Sequence, residues 1–116
     1  MQTTSWDHLE PEKLSATITR QMISGDEATL ARLFLAKGAI VPRHSHVSEQ
    51  YSIILSGALR FHFDDGSEIL LKEGEILLIP GNVPHSAVAE EDTWDLDFFA
   101  PRREDWISRN DAYLRG

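Results

Sequence analysis

The sequence predicts an all-β fold, because short apolar or alternating segments are separated by turn-forming residues and helical periodicity is weak through the middle of the chain. Alternation of apolar and polar residues is typical of strands that bury one face. The turn signals are Gly, Asp-Gly and Pro-Gly-Asn combinations, which tolerate tight backbone bends. Short strands at this spacing pack as a sandwich or a barrel.

Eight strands follow from this pattern, with turns such as Asp-Asp-Gly at 64–66 and Pro-Gly-Asn at 80–82 between them. The predicted strands are 16–23, 28–35, 50–55, 59–63, 68–71, 76–79, 85–89 and 93–99. A short helix is expected at 103–109, since Glu104 and Asp105 would favour its first turn.

Length and composition limit the function classes. The 116 residues fit one domain, with the barrel core at about 16–100. A net charge of -8, with no local basic run, argues against binding to nucleic acid or to anionic membranes. The absence of cysteine excludes disulfides, thiolate ligands and a cysteine nucleophile. The first residues carry no targeting pattern, so a cytoplasmic location is expected.

Three histidines and a glutamine stand at a spacing that suits metal ligands: His44, His46, Gln50 and His85. Alternate residues of a strand share a face, so His44 and His46 can present both imidazoles to one side of a sheet. Imidazole is a favoured ligand of Zn, Cu, Fe and Ni, and an amide oxygen can complete such a site. A divalent transition metal is therefore predicted.

The same residues lie in two glycine-framed segments. Gly-x5-His-x-His-x3-Gln-x6-Gly at 38–57 and Gly-x5-Pro-x-Asn-x2-His at 74–85 resemble the two conserved motifs of the cupin family. The resemblance implies a jelly-roll β-barrel that holds the metal inside, with short helical segments at the termini. Two positions depart from the family pattern: Gln50 replaces the usual Glu, and Asn82 replaces a glycine. Asn is tolerated in left-handed turns.

Gln50 has the larger chemical consequence. It leaves four neutral ligands around a dication, which favours Lewis-acid chemistry over the stabilisation of higher oxidation states. This argues against a dioxygenase. Glu49, one residue earlier, should face the opposite side of its strand and is a poor substitute ligand.

The segment 94–106 is the second informative stretch. Alternation predicts a core stripe formed by Trp94, Leu96 and Phe98. The opposite face carries Asp95, Asp97 and Phe99. The large apolar Phe99 argues against a solvent-facing interpretation of this second face, and its strand follows His85 closely enough to lie beside it. Asp97 is therefore a candidate pocket residue.

A narrower resemblance covers nearly the whole chain. The opening Thr-Ser-Trp-Asp-His-Leu, the histidines with Gln50, and Asp-x-Phe-x-Pro-x-Arg-x-Asp-Trp at 97–106 are similar to the KdgF group of cupins from pectin and alginate breakdown. The resemblance implies conversion of 4,5-unsaturated monouronates into linear keto sugars. It implies the following roles: Asp97 and Arg103 catalytic, Phe99 and Arg103 substrate-binding, and His44, His46, Gln50 and His85 metal-ligating.

These residue types suit that reaction. Arg103 could clamp a carboxylate through its planar fork, Asp97 could act as general acid and base if it is partly desolvated, and Phe99 could pack against the sugar ring. Other cupin enzymes, such as a dioxygenase or a sugar isomerase, and a non-catalytic cupin that binds a small ligand remain alternatives. The metal could be Ni, Zn, Fe, Mn or Cu. A homodimer is expected, because cupins commonly pair through their sheets.

Polar residues elsewhere in the predicted strands have ordinary interpretations. Most of them are expected on the outer faces: Arg20, Gln21, Arg32, Tyr51 and Arg60. Arg43 is expected in a surface ion pair, and His62 is expected to be an ordinary strand residue.

Overall fold

Two antiparallel sheets packed face to face make up the computed structural model, which describes residues 1–116. The strands are β1 (Glu12–Lys13), β2 (Ile18–Ser24), β3 (Thr29–Leu35), β4 (Ile40–His44), β5 (Glu49–Ser56), β6 (Ala58–Phe63), β7 (Glu68–Lys72), β8 (Ile76–Ile79), β9 (His85–Ala89) and β10 (Thr93–Ala100). The helical segments are a 3-10 helix at Trp6–His8, α1 (Glu104–Ile107) and a 3-10 helix at Ala112–Leu114. No helix has the length and apolar character that a membrane span requires.

The strand order is β1-β2-β3-β10-β5-β8 in one sheet and β4-β9-β6-β7 in the other. This arrangement confirms the predicted all-β jelly-roll fold with short helical segments at both ends. The sequence pattern does not predict β1 or β4. β1 has only two residues, and β4 contains Pro42 and a register shift between Val41 and His44. Pro42 is compatible with a strand here because β4 is at the edge of its sheet.

The predicted core stripe on β10 is wrong. Trp94 and Phe98 are 38% and 39% exposed. The buried residues of this strand are instead Thr93, Asp95, Asp97 and Phe99. Alternation shows that a strand has two faces, but the neighbouring strands decide which face is inside. Asp97 lies across from Ser52 on β5 and Ala31 on β3, both fully buried, and cross-strand partners share a face.

The C-terminal tail folds back over one end of the molecule. The observed helix α1 is shorter than the predicted 103–109, and Arg109 ends the following turn with a φ of 61°. Asp111 then forms an ion pair of 2.9 Å with Arg20 of β2. Arg20 departs from the expected outer-face position: it is fully buried, and it lies 4.4 Å from the centre of the Trp106 ring. The tail is therefore fastened to the sheet through a buried arginine.

Candidate metal centre and adjoining cavity

Three histidines meet between the sheets. His44 ends β4 and pairs in register with His85, the first residue of β9. His46 follows in the loop after β4, and one nitrogen from each of the three rings lies within 4.8 Å of the others. Asn82 adopts a φ of 64° and donates from its backbone N to the carbonyl oxygen of His46 at 2.7 Å. The left-handed turn expected at Asn82 thus joins the second motif to the first.

Backbone carbonyls orient all three imidazoles. The Nδ1 atoms of His44, His46 and His85 lie 2.7, 2.9 and 2.8 Å from the carbonyl oxygens of Pro42, Ser48 and Val83. A carbonyl can only accept, so each Nδ1 carries the proton and each Nε2 keeps its lone pair. This is the arrangement in which histidine ligates a metal, with the non-ligating nitrogen bonded to a backbone oxygen.

Gln50 of β5 offers a fourth neutral atom that could ligate a metal beside the three histidines. Its Nε2 donates to Ser52 Oγ at 2.8 Å, so its Oε1 is the atom that lies 3.0 Å from His46 Nε2. Two acceptors at this distance require a cation or a proton to bring them together. Burial lowers the pKa of His46 to about 4, so a proton is a poor candidate near pH 7. Glu49 is exposed, on the outer face as expected.

The residues therefore fit a divalent metal. His85 Nε2 is buried and has no hydrogen-bond partner, and desolvation of this kind needs compensation. Burial also lowers the pKa of His44 to about 4, which keeps its imidazole neutral and able to donate a lone pair. Three imidazoles and an amide oxygen suit a first-row transition metal rather than Mg²⁺ or Ca²⁺.

Two buried carboxyl groups of β10, those of Asp95 and Asp97, line the same cavity as His44 and His85. Asp97 Oδ1 accepts from Ser52 Oγ at 2.7 Å, so a hydrogen-bond chain runs from Gln50 through Ser52 to Asp97. Asp95 shares the buried face of β10 with Asp97, and Asp95 Oδ1 is buried without a partner. Burial, reinforced by the charge of Asp97, raises the pKa of Asp95 well above the ordinary carboxyl range. Burial also raises the pKa of Asp97.

The sequence prediction selected Asp97 and did not select Asp95. The signal was present, because Asp95 is two residues from Asp97 and so shares its strand face. Like charges side by side in a buried site resist double ionisation, so the pair retains a proton to a higher pH than an exposed carboxyl group.

The carboxyl pair makes stability depend on pH, and Asp95→Asn should remove much of that dependence. In the unfolded chain both groups titrate near pH 4, whereas the folded pKa values are raised. The folded state therefore binds protons more tightly, and the stability present below about pH 4 is lost as pH rises through the folded pKa. Each unit of elevation costs about 1.4 kcal/mol at alkaline pH. We expect the variant to gain about 1 kcal/mol or more at pH 8.

Urea unfolding at pH 5, 7 and 9 measures this effect. The exposed Asp7 provides a matched control, since Asp7→Asn makes the same chemical change on the surface. A variant that loses stability equally at all three pH values would contradict the proton-sharing interpretation of the pair.

Arg103 lies at the start of α1 with only 2% of its surface exposed. Its Nε and Nη2 donate to the two carboxylate oxygens of Asp105 at 2.9 and 2.7 Å. Its guanidinium lies over the rings of Phe99 and Trp106, at 4.8 and 4.3 Å from their centres. Burial opposes the charged form, but the hydrogen bonds to Asp105 raise the pKa of Arg103, so it stays a cation.

Tyr113 is a site residue that the sequence prediction missed. Its Oη accepts from Arg103 Nη2 at 2.7 Å and from Trp106 Nε1 at 3.3 Å. Its ring stacks on His44 with centres 4.5 Å apart and planes inclined by 25°. No local pattern marks this position, because the contact depends on how the tail folds back.

The predicted residues surround two neighbouring spaces. A narrow cavity of about 40 Å³ is lined by His44, Gln50, His85, Asp97, Phe99 and Arg103, together with Asp95 and Tyr113. A wider groove of about 470 Å³ is lined by His46 and Arg103 among others. Every predicted site residue thus borders one of these spaces, and Arg103 borders both.

Residues 31–100 match the profile of the cupin domain. The chain belongs to the cupin family. No curated protein matches this sequence at a significant level. Among solved structures, an RmlC-like cupin from Shewanella frigidimarina is 28% identical with a TM-score of 0.82, over 89% of this chain and 93% of that one.

The KdgF structure from a Halomonas species also resembles this cupin, as the sequence predicts. The two are 25% identical with a TM-score of 0.78, over 86% of this chain and 94% of that one. Oxalate decarboxylase from Bacillus subtilis is 19% identical with a TM-score of 0.74, over 84% of this chain and 29% of that one. That likeness shows the fold alone.

Proposed function

We propose that this cupin is a metal-dependent enzyme that converts 4,5-unsaturated monouronates into linear keto sugars. The observation that carries the proposal is that Asp97 and Arg103 border the same cavity as His44, Gln50 and His85. An acid–base group, a fixed cation and a candidate metal centre therefore face one cavity. The likeness to KdgF over most of both chains supports this reaction among those that cupins perform.

The substrate defines what the site must do. An unsaturated uronate is a cyclic enol ether with a hemiacetal at C1 and a carboxylate on C5. Ring opening removes the proton of the C1 hydroxyl, breaks the bond from C1 to the ring oxygen and forms an aldehyde and an enolate. Protonation of C4 then turns the enolate into a ketone. One proton leaves and one proton enters, so a single carboxyl group can perform both transfers.

Asp97 is the group proposed for that proton transfer. It is buried and accepts a hydrogen bond from Ser52, which fixes the orientation of the carboxyl group. Burial raises the pKa of Asp97, which brings its proton affinity closer to neutral pH, where a general acid and base works best.

Arg103 and Phe99 are proposed to bind the sugar. Arg103 would hold the carboxylate by charge-assisted hydrogen bonds. The Phe99 ring packs against the guanidinium and lines the cavity. A divalent metal held by His44, His46, Gln50 and His85 would supply Lewis-acid stabilisation of negative charge on an oxygen. Because all four ligands are neutral, this centre suits such stabilisation better than redox chemistry.

Ultraviolet absorbance of a freshly generated 4,5-unsaturated monouronate tests the proposal. The metal-loaded protein should accelerate loss of the conjugated double bond above the rate in buffer with the same free metal. Equal rates would reject the substrate assignment, and oxygen consumption with candidate substrates would then test the dioxygenase alternative. The cytoplasmic location inferred from the sequence stays a prediction.

We also propose that a second copy of the chain covers the outer face of the six-stranded sheet. Two apolar rows cross β8, β5 and β10 there. One row contains Leu78, Tyr51 and Phe98, and the other contains Ile76, Ile53 and Leu96. Ile76 and Leu78 are 64% and 50% exposed. A contiguous apolar patch of this kind is typical of a protein interface.

Leu78→Glu should dissociate this dimer, because it places a charge at the centre of the apolar face. Light scattering coupled to size-exclusion chromatography should give a dimer for the natural sequence and a monomer for the variant. Ile69→Glu is the matched control, since Ile69 is exposed on β7 of the other sheet and should leave the dimer intact. A monomeric natural protein would overturn the proposal.

A further inference from the structure

The C-terminal 3-10 helix closes the cavity next to the histidines. Tyr113 stacks on His44, and Leu114, which is 4% exposed, lines the same space. The remaining volume of about 40 Å³ has room for about three water molecules. Pockets for small organic ligands measure about 300–1,000 Å³. A sugar acid can therefore reach the histidines from this side only if the tail moves.

Arg103 shows what would drive the movement. A guanidinium has two edges that can each hold a carboxylate through two hydrogen bonds. Asp105 occupies the edge formed by Nε and Nη2. The other edge is formed by Nη1 and Nη2. There Tyr113 Oη accepts from Nη2, while Nη1 donates to no residue of the chain. Tyr113 thus occupies half of the edge that a ligand carboxylate would need.

We propose that Tyr113 is a gate, and that a carboxylate ligand opens it by replacing the phenol oxygen on Arg103. The exchange is favourable because a carboxylate carries a negative charge and can accept from Nη1 and Nη2 together, whereas the neutral phenol oxygen accepts from Nη2 alone. The same displacement takes the ring off His44 and widens the cavity next to it. The inference rests on the proposed function only in taking the ligand to be a carboxylate sugar.

The contacts around Tyr113 limit the movement to a short segment. Asp111, just before the 3-10 helix, is fully buried and bonded to Arg20 and Arg115 at 2.9 and 2.8 Å. Trp106 donates to the phenol at 3.3 Å, the upper end of hydrogen-bond length. The segment is therefore fastened at Asp111, while the phenol is held mainly by Arg103, so replacing that one bond frees Tyr113 to move about a hinge at Asp111.

Fluorine NMR of 3-fluorotyrosine can follow the gate directly, because the chain has two tyrosines. Tyr51 is on the outer face of β5, and Tyr51→Phe leaves Tyr113 as the single labelled residue. The metal-loaded variant is titrated with D-galacturonate, a saturated uronate, and with neutral D-galactose. We expect a saturable shift of the resonance with galacturonate and none with galactose. Galacturonate that binds by calorimetry without moving the resonance would overturn the gate, as would absence of galacturonate binding.

Tyr113→Phe provides the complementary measurement. The variant keeps the ring on His44 but removes the oxygen that competes for Arg103, so galacturonate should bind about tenfold more tightly. Tyr51→Phe is the matched control and should leave the Kd unchanged. An unchanged Kd in Tyr113→Phe would count against the exchange. Galacturonate has no double bond to lose, so these results stand apart from turnover: a working gate in a protein without ring-opening activity would reject the reaction alone.

Discussion

Asp97→Asn is expected to lower the rate of ring opening by about 10²–10⁴-fold, the usual contribution of a general acid–base group. The amide keeps the size of the carboxyl group, and its oxygen can still accept from Ser52, so the fold and the hydrogen-bond chain should survive. It cannot take a proton from the C1 hydroxyl or return one to C4. The measurement is the initial rate of absorbance loss for the metal-loaded protein at saturating unsaturated uronate.

Two observations keep this result interpretable. Metal content and the midpoint of urea unfolding should match those of the natural protein, which separates lost chemistry from lost structure. Asp65→Asn, at an exposed turn outside the site, should retain the full rate. Turnover by Asp97→Asn within about threefold of the natural rate would assign the proton transfers to another group.

His85→Ala is expected to abolish stoichiometric metal binding. His85 is 3% exposed and its Nε2 has no protein partner, so the substitution removes a preorganised ligand from inside the fold. Loss of an outer-shell partner alone typically weakens a metal site about 10–100-fold, so loss of a ligand should weaken it by more. Calorimetric titration with Zn²⁺, Ni²⁺ and Mn²⁺, together with elemental analysis of the purified protein, measures the change.

His62 offers the control for this experiment. It is on β6, half-exposed, with Nδ1 3.2 Å from Glu68, and it is outside the cluster of three histidines. His62→Ala removes the same side chain from a strand of the same sheet and should leave metal affinity unchanged. Metal binding by His85→Ala equal to that of His62→Ala would show that the histidine cluster is not the binding site.

Local spacing explains how much of the site could be predicted. His44 and His46 are two residues apart, so they are close by chain connectivity, although His46 lies in the loop after β4 and not on the strand that alternation requires. The strands follow from the same kind of signal, and apart from β1 and β4 their positions agree closely with the prediction. What alternation cannot supply is the direction in which a face points. On β10 it separates Trp94 and Phe98 from Asp97 and Phe99 but does not show that the second face is the buried one.

Long-range contacts account for the rest. Tyr113 reaches His44 across the chain because Asp111 is fastened to the buried Arg20, and neither end of that ion pair carries a sequence signal. An arginine in a strand is most often solvent-facing, so its burial beneath a returning tail could not be inferred from its neighbours. The closure of the cavity depends on these contacts and not on either motif.

The chain of hydrogen bonds from Gln50 to Asp97 has a polarity, and that polarity accounts for an amide where the family usually has a carboxylate. The side-chain oxygen of Gln50 faces the histidines, so its N–H groups donate to Ser52. The Ser52 hydroxyl is then free to donate its hydrogen bond to Asp97. A glutamate at position 50 could also hold a metal, but it has no N–H to donate. The Ser52 hydroxyl would then donate to that glutamate. Asp97 would then lose its donor. One side chain would thus set the charge of the candidate metal centre and also fixes which group donates to the neighbouring carboxyl group.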